Sequence, residues 1–302
     1  MIFENFDELI NKKIKNAGKK NIAVVNAEDD HTLHAVMRAG LDGIAKPILI
    51  GDAEKVKECV KPYSSYCDYE IVDAPTEKDI LKKTIELVNA GKADALMKGK
   101  IQTADLMRMV VSEESGFRTG NLMSHMLVLE IPTYHKLITV SDVALVTYPD
   151  LEKKKGIIKN TVGTLHRMGF GDINVAALAA VDTVNPKMPE SVEAGELKKL
   201  NETGEIPGCY IEGPISYDLA VNKESSIIKG YESPVAGEAD MLLCHNIAVA
   251  NTLAKCLTFS SNAKAGGMVV GAKVPIILTS RASSTEEKYY STVIASSLKS
   301  GE

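Results

Sequence analysis

Near the C-terminus an apolar run over residues 274–278 ends abruptly in Thr279, Ser280 and Arg281, with Glu286 and Glu287 about one helical turn further on. A hydroxyl, a guanidinium and two carboxylates at the end of a buried strand suit an anion site with a proton-handling group beside it. Guanidinium binds two oxygens of a phosphate at once, and a carboxylate within hydrogen-bonding reach serves as a general base. A structural reading competes for the same residues. Ser284 with Glu287 three positions later fits a capping box, in which Glu287 satisfies helix-end N–H groups. Glu286 lies elsewhere on that turn and is freer to reach Ser280. Spacing alone does not choose between the two carboxylates.

Three further stretches have types suited to anions. Arg118 and Thr119 lie between Gly116 and Gly120, and Ser124 and His125 precede an apolar run. Arg beside a hydroxyl in a Gly-bounded loop suits a phosphate; an exposed Arg in a turn is the plainer alternative. In "MKGKIQTADLM" Lys98, Gly99 and Lys100 follow a short apolar run, but this is no Walker A sequence. The Gly-rich run is missing, and Ile101 stands where Ser or Thr must ligate magnesium. A strand-end Gly before a helix can still cradle an anion with backbone N–H groups. No GxGxxG follows the first strand, so a nicotinamide-binding Rossmann domain loses its main support. Gly266 and Gly267 mark a tight turn or a close backbone approach rather than a cofactor contact.

The elements that must position these residues alternate. Short β-branched runs ("NIAVVNA", "AKPILIGD", "YEIVDA", "DALMKGK") are separated by helical patterns such as "EKDILKKTIELVNAGKA", which stops at Gly91. Asp29 or Asp30 is the expected N-cap of the helix that follows the first run. The opening segment has Phe3, Phe6, Leu9, Ile10 and Ile14 at helical spacing. After residue 136 the alternation continues with "KLITVSD", "NVAALAAV", "CYIEGP", "ADMLLCHN" and "GGMVVGAKVPIILTSR", with helical patterns over 150–168, 190–203, 216–222 and 246–257. This is the signature of βα units around a mainly parallel sheet. Ligands of such sheets bind at the carboxyl ends of the strands, where this chain places Asn26, Glu28 and Asp29, Lys98 and Lys100, Asp142, Asp182, Glu212, His245 and Asn246, and Ser280 and Arg281. Pro149, followed by a rise in charge, marks the expected crossover between domains.

Bulk properties narrow the class. The chain has 302 residues, 45% hydrophobic and 25% charged, with net charge −5 and no dense basic block. It suits two domains or one large α/β unit, and it argues against disorder and against nucleic acid as a partner. The absence of Trp argues against a base-stacking platform. The N-terminus mixes charges every few residues and shows neither a signal peptide nor a membrane span. Five dispersed cysteines without a CxxC pair read as reduced thiols in the cytoplasm. The six histidines form no HExxH or Cys/His cluster, so no metal is expected.

Taken in order, "ADALMKGK", "GFRTGNLMSH", "VALVTYPDL", "NPKMP", "IEGPISYDLA", "VAGEADMLLCHNIAVANTLAKCLTF" and "NAKAGGMVVGAKVPIILTSRASSTEEK" resemble the phosphate butyryltransferase branch of the phosphate acetyl/butyryltransferase family, over nearly the whole chain. The resemblance implies an α/β, two-domain fold like that of isocitrate and isopropylmalate dehydrogenases, with mainly parallel sheets and a cleft between domains. It implies a discontinuous first domain, 1–147 with 276–302, and a second, 148–275, for dimerisation. It implies a homodimer or higher oligomer. The family's catalytic Ser-Arg pair falls on Ser280 and Arg281. The acetyltransferase pattern puts the acid on Glu287, the butyryltransferase pattern on Glu286, and Ser283 stands where Asp is common. Arg281 and Arg118 would clamp phosphate, with Thr119, Ser124, Lys98 and Asn246 as further binding candidates.

The implied reaction is reversible: acyl-CoA plus phosphate gives acyl phosphate plus CoA, by direct thiolate attack in a ternary complex. Coenzyme A and phosphate are substrates, with no permanently bound cofactor, no metal, and no nucleic-acid or membrane partner. Three alternatives stand beside it. One is acetyl transfer. Another is a dehydrogenase using Asp142, Asp182 and Asp240. The last is a non-catalytic protein that binds CoA or acyl phosphate. Acyl-chain preference, physiological direction and the residues holding the adenosine end of CoA are not legible.

Overall fold

The structure, a computed structural model, describes residues 2–14, 18–280 and 283–298. The chain forms two compact units, a first of Phe6–Asn121 with Ala265–Glu302 and a second of Met1–Asn5 with Leu122–Lys264. In chain order the strands are β1 (Lys20–Val25), β2 (Ala45–Gly51), β3 (Glu70–Asp73), β4 (Ala95–Lys98), β5 (Ser124–Glu130), β6 (Ile138–Ser141), β7 (Asn174–Leu178), β8 (Tyr210–Ile215), β9 (Met241–Leu243), β10 (Lys264–Val270) and β11 (Ile276–Ile277). The expected α/β class with mainly parallel pairing is what these strands form.

In the first unit the order is β3-β2-β1-β4-β11-β10. All neighbours run parallel except β10 and β11, which are antiparallel. Ile22, Ala23, Val24 and Val25 of β1 are all buried, as a strand covered on both faces requires. Helix Asp30–Leu41 is capped by Asp29, whose carboxylate accepts from the Thr32 N–H at 2.9 Å. Helix Glu77–Asn89 is capped by Thr76 and followed by Gly91 at φ 67°. Two close approaches explain glycines. A Cβ at Gly99, just past β4, would sit 2.1 Å from the Asn26 carbonyl oxygen at the end of β1. A Cβ at Gly266 would meet the Tyr290 carbonyl carbon at 2.6 Å, so β10 lies backbone-close to helix Thr285–Ser296.

In the second unit the order is β5-β6-β9-β7-β8, with β5 and β6 antiparallel and the remainder parallel. Helix Leu151–Met168 runs between the Asp150 cap and a left-handed Gly169 at φ 96°. The amino ends of β6, β7 and β9 are joined by a buried ion pair. Lys136 Nζ lies 2.7 Å from Asp240 Oδ1, and Asp240 Oδ2 accepts from the Asn174 N–H at 2.8 Å.

The structure departs from the sequence pattern in several places. The opening segment is not one regular helix: Phe6–Leu9 is α-helical, and Ile10–Ile14 widens into a π-type turn that still buries Ile14. Helices Thr103–Val111 and Lys223–Lys229 lack strong sequence signals. The units divide at 121/122 and 264/265, and Pro149 with its charged neighbours leads into the long helix within the second unit. No helix among the described residues is long and apolar enough to cross a membrane.

Candidate active site

Strands β1, β4 and β11 lie side by side and parallel, with Val25 beside Lys98, and Met97 beside Ile277. Their carboxyl ends therefore bring together Asn26 and Asp29, Lys98 and Gly99, and Thr279 and Ser280. Asn26 adopts a left-handed backbone at φ 61° and donates from Nδ2 to the Lys100 carbonyl at 2.9 Å. Lys98 is buried and donates to the Gly99 carbonyl at 3.4 Å. Ser280 is exposed, while Thr279 before it and Ser283 after it are buried. Arg281 lies outside the described residues.

The two carboxylates that spacing left equivalent differ in surroundings. Glu286 pairs with Arg38 of helix Asp30–Leu41, and its side chain remains 56% exposed. That pair belongs to a seam between two helices. The Arg38 guanidinium carbon lies 4.1 Å from the Tyr289 ring centroid, and the Tyr289 hydroxyl donates to Asp42 Oδ2 at 2.7 Å. Glu287 is half-buried, and burial pushes its carboxyl above the ordinary value. A hydrogen bond from Ser283 and the positive charge of Lys288 oppose that rise. The capping box is half formed: Ser284 Oγ accepts from the Glu287 N–H at 3.1 Å, while the Glu287 carboxylate turns to the Ser283 side chain. The cap fixes the helix start, and the carboxylate remains available for chemistry.

Arg118 and Thr119 belong to the other end of the same sheet. Arg118 bridges to Ala272, Thr119 Oγ1 donates to the Gly271 carbonyl at 2.6 Å, and the Lys273 N–H donates to the Phe117 carbonyl at 2.9 Å. These contacts fasten the loop to the turn that enters β11, whereas Ser280 follows the end from which β11 leaves. Within this unit the structure does not bring Arg118 to Ser280.

Ser124 and Asn246 are in the second unit. Ser124 is fully buried, and its hydroxyl accepts from Asn160 Nδ2 at 2.9 Å. Asn246 caps helix Ile247–Ser260 by accepting from the Val249 N–H at 3.1 Å. Beside it, Lys154 is buried, pairs with Glu193, and lies 3.0 Å from His245 Nδ1. Burial, followed by the Lys154 charge, lowers the pKa of His245. The same unit holds a cavity of about 610 Å³ at the carboxyl end of β8, lined by Asp182, Lys198, Glu212, Gly213 and Tyr231 among others.

Of the carboxylates weighed for a metal-bound hydroxyacid, Asp182 lines that cavity, while Asp142 and Asp240 are engaged otherwise. Asp142 is buried and accepts from three backbone N–H groups, those of His125, Ala144 and Leu145, at 2.7–2.8 Å. Asp240 is tied to Lys136. Among the described residues no cluster of His, Cys, Asp or Glu is arranged to hold a metal ion. The sequence pattern assigns no role to Thr279 or to Lys288, whose Nζ donates to Thr279 Oγ1 at 3.0 Å. In sequence Lys288 looks like the end of a solvated "EEK" run, and no local signal marks it as buried.

Residues 66–296 match the family model described as phosphate acetyl/butaryl transferase. The chain is 40% identical over 295 residues to a phosphate butyryltransferase of Clostridium acetobutylicum, covering 97% of this chain and 98% of that protein. It is 39% identical over 291 residues to a phosphate acetyltransferase of Thermotoga maritima, covering 96% and 98%. Among solved structures, a branched-chain phosphotransacylase from Enterococcus faecalis V583 matches with a TM-score of 0.81 at 29% identity, over 94% of this chain and 100% of that one.

Proposed function

The chain belongs to the phosphate acetyl/butaryl transferase family, and we propose that it is a phosphate acyltransferase that moves a butyryl or similar short acyl group between coenzyme A and inorganic phosphate. The observation that carries the assignment within the fold is a half-buried Glu287 on the capped first turn of the helix that follows strand-end Ser280, its carboxylate hydrogen-bonded to Ser283, whose own N–H donates to the Ser280 carbonyl at 3.1 Å. In the direction that consumes acyl phosphate, the CoA thiol, with a pKa of ~8.5, must become a thiolate. Glu287 accepts that proton, directly or through Ser280. The thiolate attacks the acyl carbon, the Ser280 hydroxyl donates to the developing oxyanion, and the carbon–oxygen bond to phosphate breaks. Arg281 balances charge on the departing phosphate, and the buried Lys98 ammonium adds positive charge at the same strand ends.

The surroundings of Glu287 favour it over Glu286 as the base. Its burial moves the carboxyl toward the pH range in which a base exchanges protons efficiently, whereas Glu286 is committed to Arg38. A half-buried carboxylate on the turn that follows Ser280 also speaks against a non-catalytic binding protein. Butyryl is placed ahead of acetyl on the overlap with the clostridial relative. One methylene changes selectivity by only about 1–3 kcal/mol, so the chain length is an experimental ranking. A cytoplasmic homo-oligomer belongs to the same reading. Free cysteines support the compartment, and the strongly exposed Ile227 and Ile228 support the assembly.

The test is thiol release from butyryl-CoA by the purified protein, with and without phosphate, repeated with acetyl- and isobutyryl-CoA. Strictly phosphate-dependent release is expected. Release without phosphate would indicate a thioesterase, and full turnover by Ser280→Ala would remove Ser280 from the mechanism.

A further inference from the structure

We infer that Lys288 is a positioning residue for this reaction: its ammonium fastens the Thr279–Ser280 strand end and supplies a positive charge at the helix start that also carries Glu287. The inference rests on the acyl-transfer reading above.

Lys288 is in an unfavourable place for a lysine. It lies in the first turn of helix Thr285–Ser296, where the aligned peptide dipoles disfavour a cation, and it is only 7% exposed. A lysine serving solubility would extend into water. This one reaches back across the loop, and its Nζ donates to Thr279 Oγ1 at 3.0 Å. Thr279 is the residue immediately before Ser280, so the contact sets where the Ser280 backbone leaves β11.

The charges acting on the ammonium come from two elements. Asp29, after β1, and Glu287, on the same helix, both favour its protonated form against the cost of burial. Burial still lowers the Lys288 pKa on balance, and Asp29, which opposes that fall, is engaged as the cap of helix Asp30–Leu41. Reciprocally, the Lys288 charge opposes the burial that pushes the Glu287 carboxyl upward. One side chain thus links the oxyanion donor to the base, a link that neither the Ser-Arg pair nor the capping box provides.

The experiment measures kcat and KM for thioester formation from butyryl phosphate and CoA across pH, with wild type, Lys288→Met, Lys288→Arg and Thr279→Val. Lys288→Met should lower kcat by roughly tenfold to a hundredfold, as expected for loss of a charged hydrogen bond felt in the transition state. Its KM values should change little. Glu287 must be ionised to accept the thiol proton, so loss of this cation moves the acid limb of the kcat profile to higher pH. Lys288→Arg should restore the limb, and Thr279→Val should lower kcat while leaving the limb in place. A merely structural lysine would reduce the melting temperature and leave the limb unmoved, which would overturn the inference. Should Lys288→Met not fold, Thr279→Val with wild-type kcat, or Lys288→Arg with a displaced limb, overturns it instead. A folded wild type with no turnover in either direction refutes the acyl-transfer reading itself.

Discussion

Replacing each carboxylate in turn separates the catalytic reading of the last helix from the structural one. Glu287→Gln keeps the size of the side chain and its ability to accept from Ser283, but it cannot take a proton from a thiol. General-base catalysis contributes roughly a hundredfold to ten-thousandfold, so kcat for thioester formation from butyryl phosphate should fall within that range. KM should stay near wild type, because the carboxylate is assigned no part in ground-state binding. Glu286→Gln removes an ion pair whose carboxylate side is 56% exposed. Exposed pairs are worth at most about 1 kcal/mol, and the loss falls on the helix seam with Arg38, so kcat should change less than about fivefold. The assay follows thioester formation at saturating substrates across pH, with circular dichroism confirming that both variants fold. The wild-type acid limb should vanish in Glu287→Gln and persist in Glu286→Gln. If Glu286→Gln loses the larger share of kcat while Glu287→Gln stays within a few fold of wild type, the reasoning from burial is wrong.

Three further predictions concern stability. Asp240→Ala leaves the buried Lys136 ammonium with only the Glu238 carbonyl at 2.9 Å and the partly exposed Glu238 carboxylate at 3.8 Å, and urea denaturation should show a loss of up to about 3–5 kcal/mol; the double variant Lys136→Met/Asp240→Leu should recover most of it. Gly266→Ala places a methyl 2.6 Å from the Tyr290 carbonyl carbon, which should cost about 1–3 kcal/mol as overpacking and appear as a lower Tm. Glu287 gives a pH-dependent term. Its folded carboxyl lies above the ordinary value, so the folded state holds that proton more tightly than the unfolded chain. The stability this contributes is full below the ordinary carboxylate range and is lost as pH rises through the raised value. Glu287→Gln should therefore melt at a higher temperature than wild type at neutral pH, with the difference vanishing toward acid. Equal melting temperatures at every pH would contradict the shift.

Much of the first unit is legible because strands β1, β2 and β4 are near-continuous apolar runs covered on both faces, and because Asp29 is a capping residue with a local signature. The positions of Ser280 after a strand and of Glu287 in a helix's first turn are legible for the same reason: a polar residue that ends an apolar run and a Ser-x-x-Glu spacing are both short-range patterns. What failed was non-local or signal-poor. The partner of Glu286 is Arg38, 248 positions away, and only the tertiary fold brings the two together. Helix Thr103–Val111 begins at Gln102 without a side-chain cap. Helix Lys223–Lys229 points Ile227 and Ile228 outward, which breaks the amphipathic pattern. Arg118 sits in the flexible-looking Gly-bounded setting that suits an anion, yet backbone pairing with the β10–β11 turn fixes it at the entry to β11.

The start of the last helix is a place where local preference and tertiary structure disagree, and the disagreement identifies what the region does. An ionised Glu287 and a protonated Lys288 both lose hydration there, and burial opposes the charged form of each. Isolated, that turn would favour outward-facing side chains. It is kept in place by contacts further along the same helix: the Arg38–Glu286 pair, the Tyr289–Asp42 hydrogen bond, the stacking of Phe6 on Tyr290 at 4.4 Å, and the backbone-close packing at Gly266. None of those contacts touches Ser280. The stabilising groups therefore lie on the helix seam and the strained groups at its tip, the division expected where a reactive carboxylate must be held against its own solvation. Weakening the seam should then loosen the tip. Arg38→Ala removes the contact with the Tyr289 ring as well as the Glu286 pair, so, although remote from Thr279 and Ser280 in sequence, it should lower kcat more than Glu286→Gln does through misplacement of Glu287, while a kcat–pH profile shows the intrinsic acid limb where it is.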